Sequence, residues 1–271
     1  MATVRDKLWL WGQSPDGHNA ADGSINYNLP GHSRMTAMEG NIFFGIPNCC
    51  RVRILGHPQP PYDQESLVMD SLDQVVWSLL GAGGEQATEW GDLEEVLRQA
   101  RMFPNITGGV FDDFVSPVRL PVYTPEKLRA MRKRLREDAG RPLDMWVVYY
   151  ERDLYRPELN DQLLPRLQEF DVVTFWTWYG NELANLERNL DTVISMLPGK
   201  RIMAGCYLWD YGNKRPLPPE LMEHQCQLYL DYLQRGKIDG IIVCSNCIAD
   251  LGIEAVDWMR RWIREKGSIQ L

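Results

Sequence analysis

Histidine is scarce in this chain. Of 271 residues, four are histidine (His18, His32, His57 and His224), and none stands in HExxH or another metal-ligand spacing. Other signatures of dedicated chemistry are missing too. No GxGxxG turn follows the first apolar run, so a dinucleotide-binding crevice has no support. There is no phosphate-binding loop, and no GxSxG elbow to present a serine nucleophile. Basic charge is in deficit. The 29 Lys and Arg against 37 Asp and Glu leave a formal net charge of -8. A general binder of nucleic-acid backbones needs the opposite balance. The one basic run, Lys127 to Arg136, has helical spacing and reads as a solvated helix face. No apolar run is long enough to span a bilayer, and no cationic, apolar leader opens the chain. These readings suit a soluble protein in a cytoplasmic setting, with no nucleic-acid or membrane partner. Export after removal of a leader stays open.

Cysteine is present but not organised. Cys49, Cys50, Cys206, Cys226, Cys244 and Cys247 fall mostly in apolar strand-like runs, which predicts buried thiols rather than a disulfide framework. Cys244 and Cys247 have the CxxC spacing without a second pair or a thioredoxin-type context, so zinc and redox readings are weak. Burial inside a strand would blunt Cys206 or Cys244 as a nucleophile.

The chain is rich in aromatic rings and in short apolar runs. It has 10 Trp and 11 Tyr, and 44% of its residues are hydrophobic. Strands are expected at Lys7 to Trp11, Cys49 to Leu55, Gln74 to Leu80, Ile106 to Asp112, Leu143 to Tyr150, Asp171 to Trp176, Arg201 to Leu208 and Ile238 to Ser245. Helical patterns separate them, at Ser33 to Phe44, Gln64 to Met69, Asp92 to Arg101, Pro125 to Asp138, Leu159 to Glu169, Gly180 to Leu197 and Pro218 to Arg235. Ile253 to Lys266 closes the chain as an amphipathic helix. Thr124 before Pro125 is a clear helix start, a capping hydroxyl followed by proline at the first helical position. The strands are nearly continuous apolar runs, as parallel strands covered by helices must be. The expected fold is an α/β single-domain (β/α)8 TIM barrel over residues 1–271, an architecture that commonly takes about 250 residues. A doubly wound open sheet is the main alternative.

In such a barrel the reactive groups gather where the strands end. Those ends, in chain order, are Gln13; Arg53 with His57; Glu85; Asp112 and Asp113; Tyr150 and Glu151; Trp176 and Trp178; Trp209 and Asp210; and Ser245 with Asn246. Burying an acid costs several kcal/mol unless it is paired, hydrogen-bonded or protonated, so acids at strand ends need a reason. Paired carboxylates beside flat aromatic rings suit glycosidic bond cleavage. One carboxylic acid protonates the leaving oxygen, and a second carboxylate acts as nucleophile or as base for water. Asp113 is the first candidate, Glu151 and Asp210 compete as its partner, and Asp112 supports it. Neighbours on a strand point in opposite directions, so with Asp113 in the mouth Asp112 would turn toward the adjacent strand or cap backbone amides. Trp176, Trp178, Trp209 and Tyr150 are candidate sugar-stacking surfaces. Gln13, Arg53 and Asn246 are candidate polar contacts, and Arg53 is equally suited to neutralising an inner acid. No organic cofactor is implied.

Two short motifs carry a family resemblance. Thr107-Gly108-Gly109-Val110-Phe111-Asp112-Asp113-Phe114 resembles a G-I-x-x-D-D-[FY]-F fourth-strand ending, and Tyr207-Leu208-Trp209-Asp210-Tyr211 a seventh-strand ending, of (β/α)8 glycoside hydrolases. The resemblance implies catalytic or sugar-binding acids at those places and a carbohydrate substrate. The DxxDxDxE signature of chitinases is absent, as is the Asn-Glu pair that ends the fourth strand in many retaining glycosidases. The resemblance therefore implies no particular sugar, linkage or stereochemical outcome, and no oligomeric state. Two rival functions use the same inventory. One is a metal-dependent sugar isomerase, epimerase or lyase, with His57 joining the acids as a ligand. The other is a non-catalytic carbohydrate-binding barrel.

Overall fold

The computed structural model describes residues 1–82 and 89–271. Glu85 and the glycines Gly83 and Gly84, expected just beyond the third strand, lie outside the described residues. The strands are β1 (Leu8–Gly12), β2 (Asn48–Arg51), β3 (Gln74–Leu80), β4 (Ile106–Phe111), β5 (Asp144–Tyr150), β6 (Val172–Trp176), β7 (Arg201–Tyr207) and β8 (Gly240–Cys244). Each pairs in parallel with its neighbour in sequence, and β8 closes on β1 in the register Leu8 to Ile241 through Trp11 to Cys244. The expected single-domain (β/α)8 barrel is the observed fold. A two-residue ribbon, Trp209–Asp210 against Arg215–Pro216, stands outside it after β7.

The helices are α1 (Ala37–Phe44), α2 (Asp63–Val68), α3 (Leu93–Met102), α4 (Pro125–Glu137), α5 (Glu151–Leu154), α6 (Pro157–Leu167), α7 (Leu186–Met196), α8 (Pro219–Gln234) and α9 (Glu254–Lys266). Local chemistry sets their ends. Helix α1 starts at Ala37 rather than Ser33 because Thr36 and Glu39 form a reciprocal cap. The Thr36 hydroxyl accepts the Glu39 amide at 3.2 Å, and the Glu39 carboxylate accepts the Thr36 amide at 2.7 Å. Helix α4 starts as expected, with Thr124 accepting the Lys127 amide. The second strand stops at Arg51 instead of Leu55, because Ile54 and His57 exchange backbone bonds and turn the chain back. The helix expected from Gly180 is a 3-10 stretch, Gly180–Asn185, followed by α7. Helix α5 is an addition, since no strand-end signal separates a four-residue helix from a turn.

Alternation along each strand decides what fills the barrel. Trp9 and Trp11 share one face of β1. Neither β5 nor β6 is a hydrogen-bonding neighbour of β1, yet Trp9 meets Trp146 of β5 at 4.9 Å between ring centroids and Trp11 meets Trp176 of β6 at 5.2 Å. These contacts therefore cross the lumen, one above the other. Glycine makes room for the upper one. A Cβ on Gly205 of β7 would stand 2.1 Å from Cδ2 of Trp176, so only glycine lets that indole lie on the strand.

Candidate active site

Above the Trp11–Trp176 layer lies a cavity of about 320 Å³. Every strand supplies a lining residue at its end or just beyond it: Trp11 and Gln13, Ile54, Ala82, Asp112, Tyr150, Trp176 and Trp178, Tyr207, and Cys244. The long loop after β1 adds His18 and Tyr27, and the segment after β7 adds Tyr211. Of the strand-end residues expected to converge on one mouth, Gln13, Asp112, Asp113, Tyr150, Trp176 and Trp178 line this cavity, whereas Arg53, Glu151, Trp209, Asp210 and Asn246 do not.

The two adjacent acids both reach this cavity, though alternation alone would send them apart. Asp112 continues the inward face of Val110 and is buried. Asp113 has φ 44, in the left-handed region that few residues other than glycine, asparagine and aspartate enter. That turn brings its side chain back toward the lumen, where Tyr150 donates its hydroxyl to Oδ1 at 2.8 Å. The Asp113 amide in turn donates to Oδ1 of Asp112 at 2.8 Å. Arg119 locks the corner from behind, its guanidinium donating to the backbone carbonyls of Asp112, Asp113 and Gly81. Burial, and then the nearby Asp113, push the Tyr150 phenol well above its ordinary range, so it stays a donor at neutral pH.

Glu151 and Asp210 are placed differently. Neither lines the cavity among the described residues, and both accept backbone amides of the segment that carries Trp178. Glu151 accepts the amides of Trp178 at 2.7 Å and Tyr179 at 3.3 Å. Its carboxyl is raised above the usual range by burial, and the amide bonds oppose that rise. Asp210 accepts the amides of Gly180 at 2.9 Å and Asn213 at 3.1 Å, and the Arg215 guanidinium at 3.1 Å. Gly180 is needed there, because a Cβ would stand 2.7 Å from Asp210 Oδ2.

The other expected contacts divide the same way. Trp178 is a wall of the cavity, half-buried among Tyr27, Tyr150, Tyr207 and Tyr211, with the Tyr211 ring stacked on it at 5.8 Å. Trp176 is the floor, wedged against Trp11 and Tyr207. Trp209 is buried off the cavity, and its indole nitrogen donates to the Tyr27 carbonyl at 3.0 Å. Gln13 lines the cavity, with its side-chain oxygen buried and without a hydrogen-bond partner. Asn246 latches the Gln13 backbone in both directions, at 2.8 and 2.9 Å, and does not line the cavity. Arg53 neutralises an acid, pairing with Asp92, which also accepts the Tyr62 hydroxyl at 3.0 Å.

Two lining residues, His18 and Tyr27, had no signal in the sequence, because they sit in a loop without periodicity, and Tyr211 lies in the seventh-strand motif without having been a candidate. His18 is buried beside the Tyr211 hydroxyl, 3.0 Å from Nδ1, and desolvation pushes its pKa down to about 3. It is neutral at pH 7. Among the described residues no group of three or more His, Cys, Asp or Glu is placed to hold a metal ion, and His57 is exposed on its turn. All six cysteines are buried and free. Burial pushes the Cys244 thiol well above its ordinary range and Cys247 up to about 12, which leaves both poor nucleophiles.

The chain has the fold of the glycoside hydrolase barrels. A glycoside hydrolase family 99 endo-α-mannosidase from Bacteroides thetaiotaomicron superposes with a TM-score of 0.56 at 9% identity, covering 97% of this chain and 98% of that one. A family 18 chitinase from Crocus vernus gives 0.55 at 13%, covering 96% and 98%. A family 18 chitinase from Pseudoalteromonas aurantia gives 0.54 at 10%, covering 95% and 99%. No protein-family model matches the chain, and no curated relative is found by sequence.

Proposed function

We propose that this protein is a glycoside hydrolase in which Asp113 handles the proton and Asp112 is the second carboxylate. One observation carries the reading. Two acids from the end of one strand face the same aromatic-walled cavity, and a phenol holds one of them. A sugar ring offers apolar C–H faces and hydroxyl edges. Trp178, Tyr27 and Tyr207 supply flat surfaces for the first, and the acids Asp112 and Asp113 supply acceptors for the second. The barrel likeness supports the reaction class by analogy alone.

The steps follow from the acids present. Protonated Asp113 gives its proton to the glycosidic oxygen as the bond from that oxygen to the anomeric carbon breaks. The ionised Asp112 stabilises the positive charge that develops on the sugar. Water then bonds to the anomeric carbon and returns a proton to the Asp113 carboxylate, which Tyr150 has held in place by its hydrogen bond. In this reading Glu151 and Asp210 are positioning residues. They hold the segment that presents Trp178 and do not touch the sugar.

A panel of chromogenic aryl glycosides tests the proposal. Wild type should release the aryl group from at least one member. Asp113→Asn should cut kcat on it by about 100-fold or more, with the thermal transition preserved. Activity that survives Asp113→Asn sinks the assignment of that residue. Saccharide binding without any turnover supports the carbohydrate-binding barrel instead. Activity abolished by EDTA and restored by one divalent metal supports the isomerase or lyase class.

A further inference from the structure

The cavity at the barrel mouth has a neighbour. A second hollow of about 280 Å³ opens beside it, and Asp113 and Tyr150 line both. The hydrogen bond between these two residues therefore forms part of the partition. Ser116, Arg119 and Arg152 are among the residues of the outer hollow.

The two hollows differ in charge. The inner one is lined by Asp112 and Asp113 and by no lysine or arginine among the described residues, and its histidine is neutral at pH 7. It suits an uncharged sugar unit, because an anion there would face the acids Asp112 and Asp113 with no cation to pair with. The outer one shares Asp113 but not Asp112, and adds two arginines. Arg119 is already committed to backbone carbonyls. Arg152 is exposed, and its guanidinium carbon lies 4.4 Å over the Tyr150 ring and 5.1 Å over that of Trp178. Among the described residues no ion pair or hydrogen bond engages its guanidinium, and the neighbouring Asp153, which is buried, acts on it only through space. A guanidinium resting on ring faces is restrained in position while its edge donors stay available, and that edge matches a carboxylate with two parallel bonds.

We infer that the outer hollow binds an acidic sugar unit, a hexuronic acid whose carboxylate pairs with Arg152, next to a neutral unit held in the inner cavity. The inference rests on the carbohydrate reading of the site. It does not require that the bond between the two units be hydrolysed.

The test uses pairs of disaccharides that differ only in a C6 carboxylate or hydroxymethyl group on one unit: glucuronic against glucose, galacturonic against galactose, mannuronic against mannose. Dissociation constants are measured by calorimetry at low salt, and product release is followed separately. In at least one pair the acidic member should bind about tenfold tighter, and the preference should weaken as salt rises. Arg152→Ala and Arg152→Gln should bring the members of that pair within about twofold of each other, mainly through lost affinity for the acidic member. Equal affinity within every pair overturns the inference, and so does a preference that survives Arg152→Ala. An Arg152-dependent preference without turnover sinks the hydrolase reading and leaves this site standing. Turnover of neutral substrates with no acidic preference does the reverse.

Discussion

Tyr150 donates its hydroxyl to Oδ1 of Asp113 across 2.8 Å, joining the last residue of β5 to the residue that turns out of β4. A hydrogen bond of this kind contributes about 0.5–1.5 kcal/mol net. Tyr150→Phe keeps the ring and deletes only this donor. It should lower the thermal transition by a few degrees and reduce kcat on a responsive aryl glycoside by about 10-fold, with KM little changed. An unchanged kcat would remove Tyr150 from the proposed chemistry.

Glu151 should behave unlike Asp113. Its carboxylate binds the amides of Trp178 and Tyr179, so Glu151→Gln loses an acceptor oxygen and leaves an amide under-satisfied, at a cost of about 1–3 kcal/mol. The expected kinetic effect is a raised KM with kcat largely kept, because the wall that presents Trp178 loosens. The tryptophan emission should shift with it. A loss of kcat as deep as that of Asp113→Asn, with normal KM and emission, would place Glu151 in the chemistry.

Acid should weaken the fold through His18. Its folded pKa, about 3, lies far below the ordinary 6.5. Above pH 6.5 the side chain is neutral in both states. As pH falls from 6.5 toward 3, the unfolded chain takes up a proton that the folded chain refuses, so stability is lost across that window. The expected loss by pH 5 is on the order of 2 kcal/mol. His18→Gln, measured by urea unfolding at pH 7 and pH 5, should be less stable at pH 7 and show a smaller difference between the two. An equal pH dependence in both proteins would count against a buried neutral imidazole.

Gly205→Ala tests the floor of the cavity. The added methyl would stand 2.1 Å from Trp176, which is held by Trp11 on one side and Tyr207 on the other. Overpacking of this kind typically costs about 1–3 kcal/mol. The melting temperature should fall and saccharide affinity should drop, since the indole must rise into the cavity. A variant with wild-type stability and affinity would show that the floor can yield.

Much of the fold was legible in the sequence because it is locally encoded. Apolar runs bounded by glycine, proline and capping residues mark the strands and most helices. Their number and order leave few ways to bury both faces of so many parallel strands. Asp112, Asp113, Gln13, Tyr150, Trp176 and Trp178 were legible as strand-end residues, and they do line one cavity. Glu151 and Asp210 were equally legible as strand-end acids, but the amides of the Trp178 segment that they accept lie 27 to 30 residues away. His18 and Tyr27 were not legible, because an irregular loop has no period to read.

What the sequence determined by itself is which side chains share a face, since alternation along a strand is a property of the local backbone. What only the tertiary structure decided is which faces meet: Trp9 against Trp146 across the lumen, and Trp11 against Trp176 above it. The left-handed turn that brings Asp113 back beside Asp112 belongs to the same level. Closing the barrel sets these relationships, because strand tilt and register choose the partners on the far wall. Whether a carboxylate faces substrate or is consumed by backbone amides depends on those partners, and no stretch of chain contains that information alone.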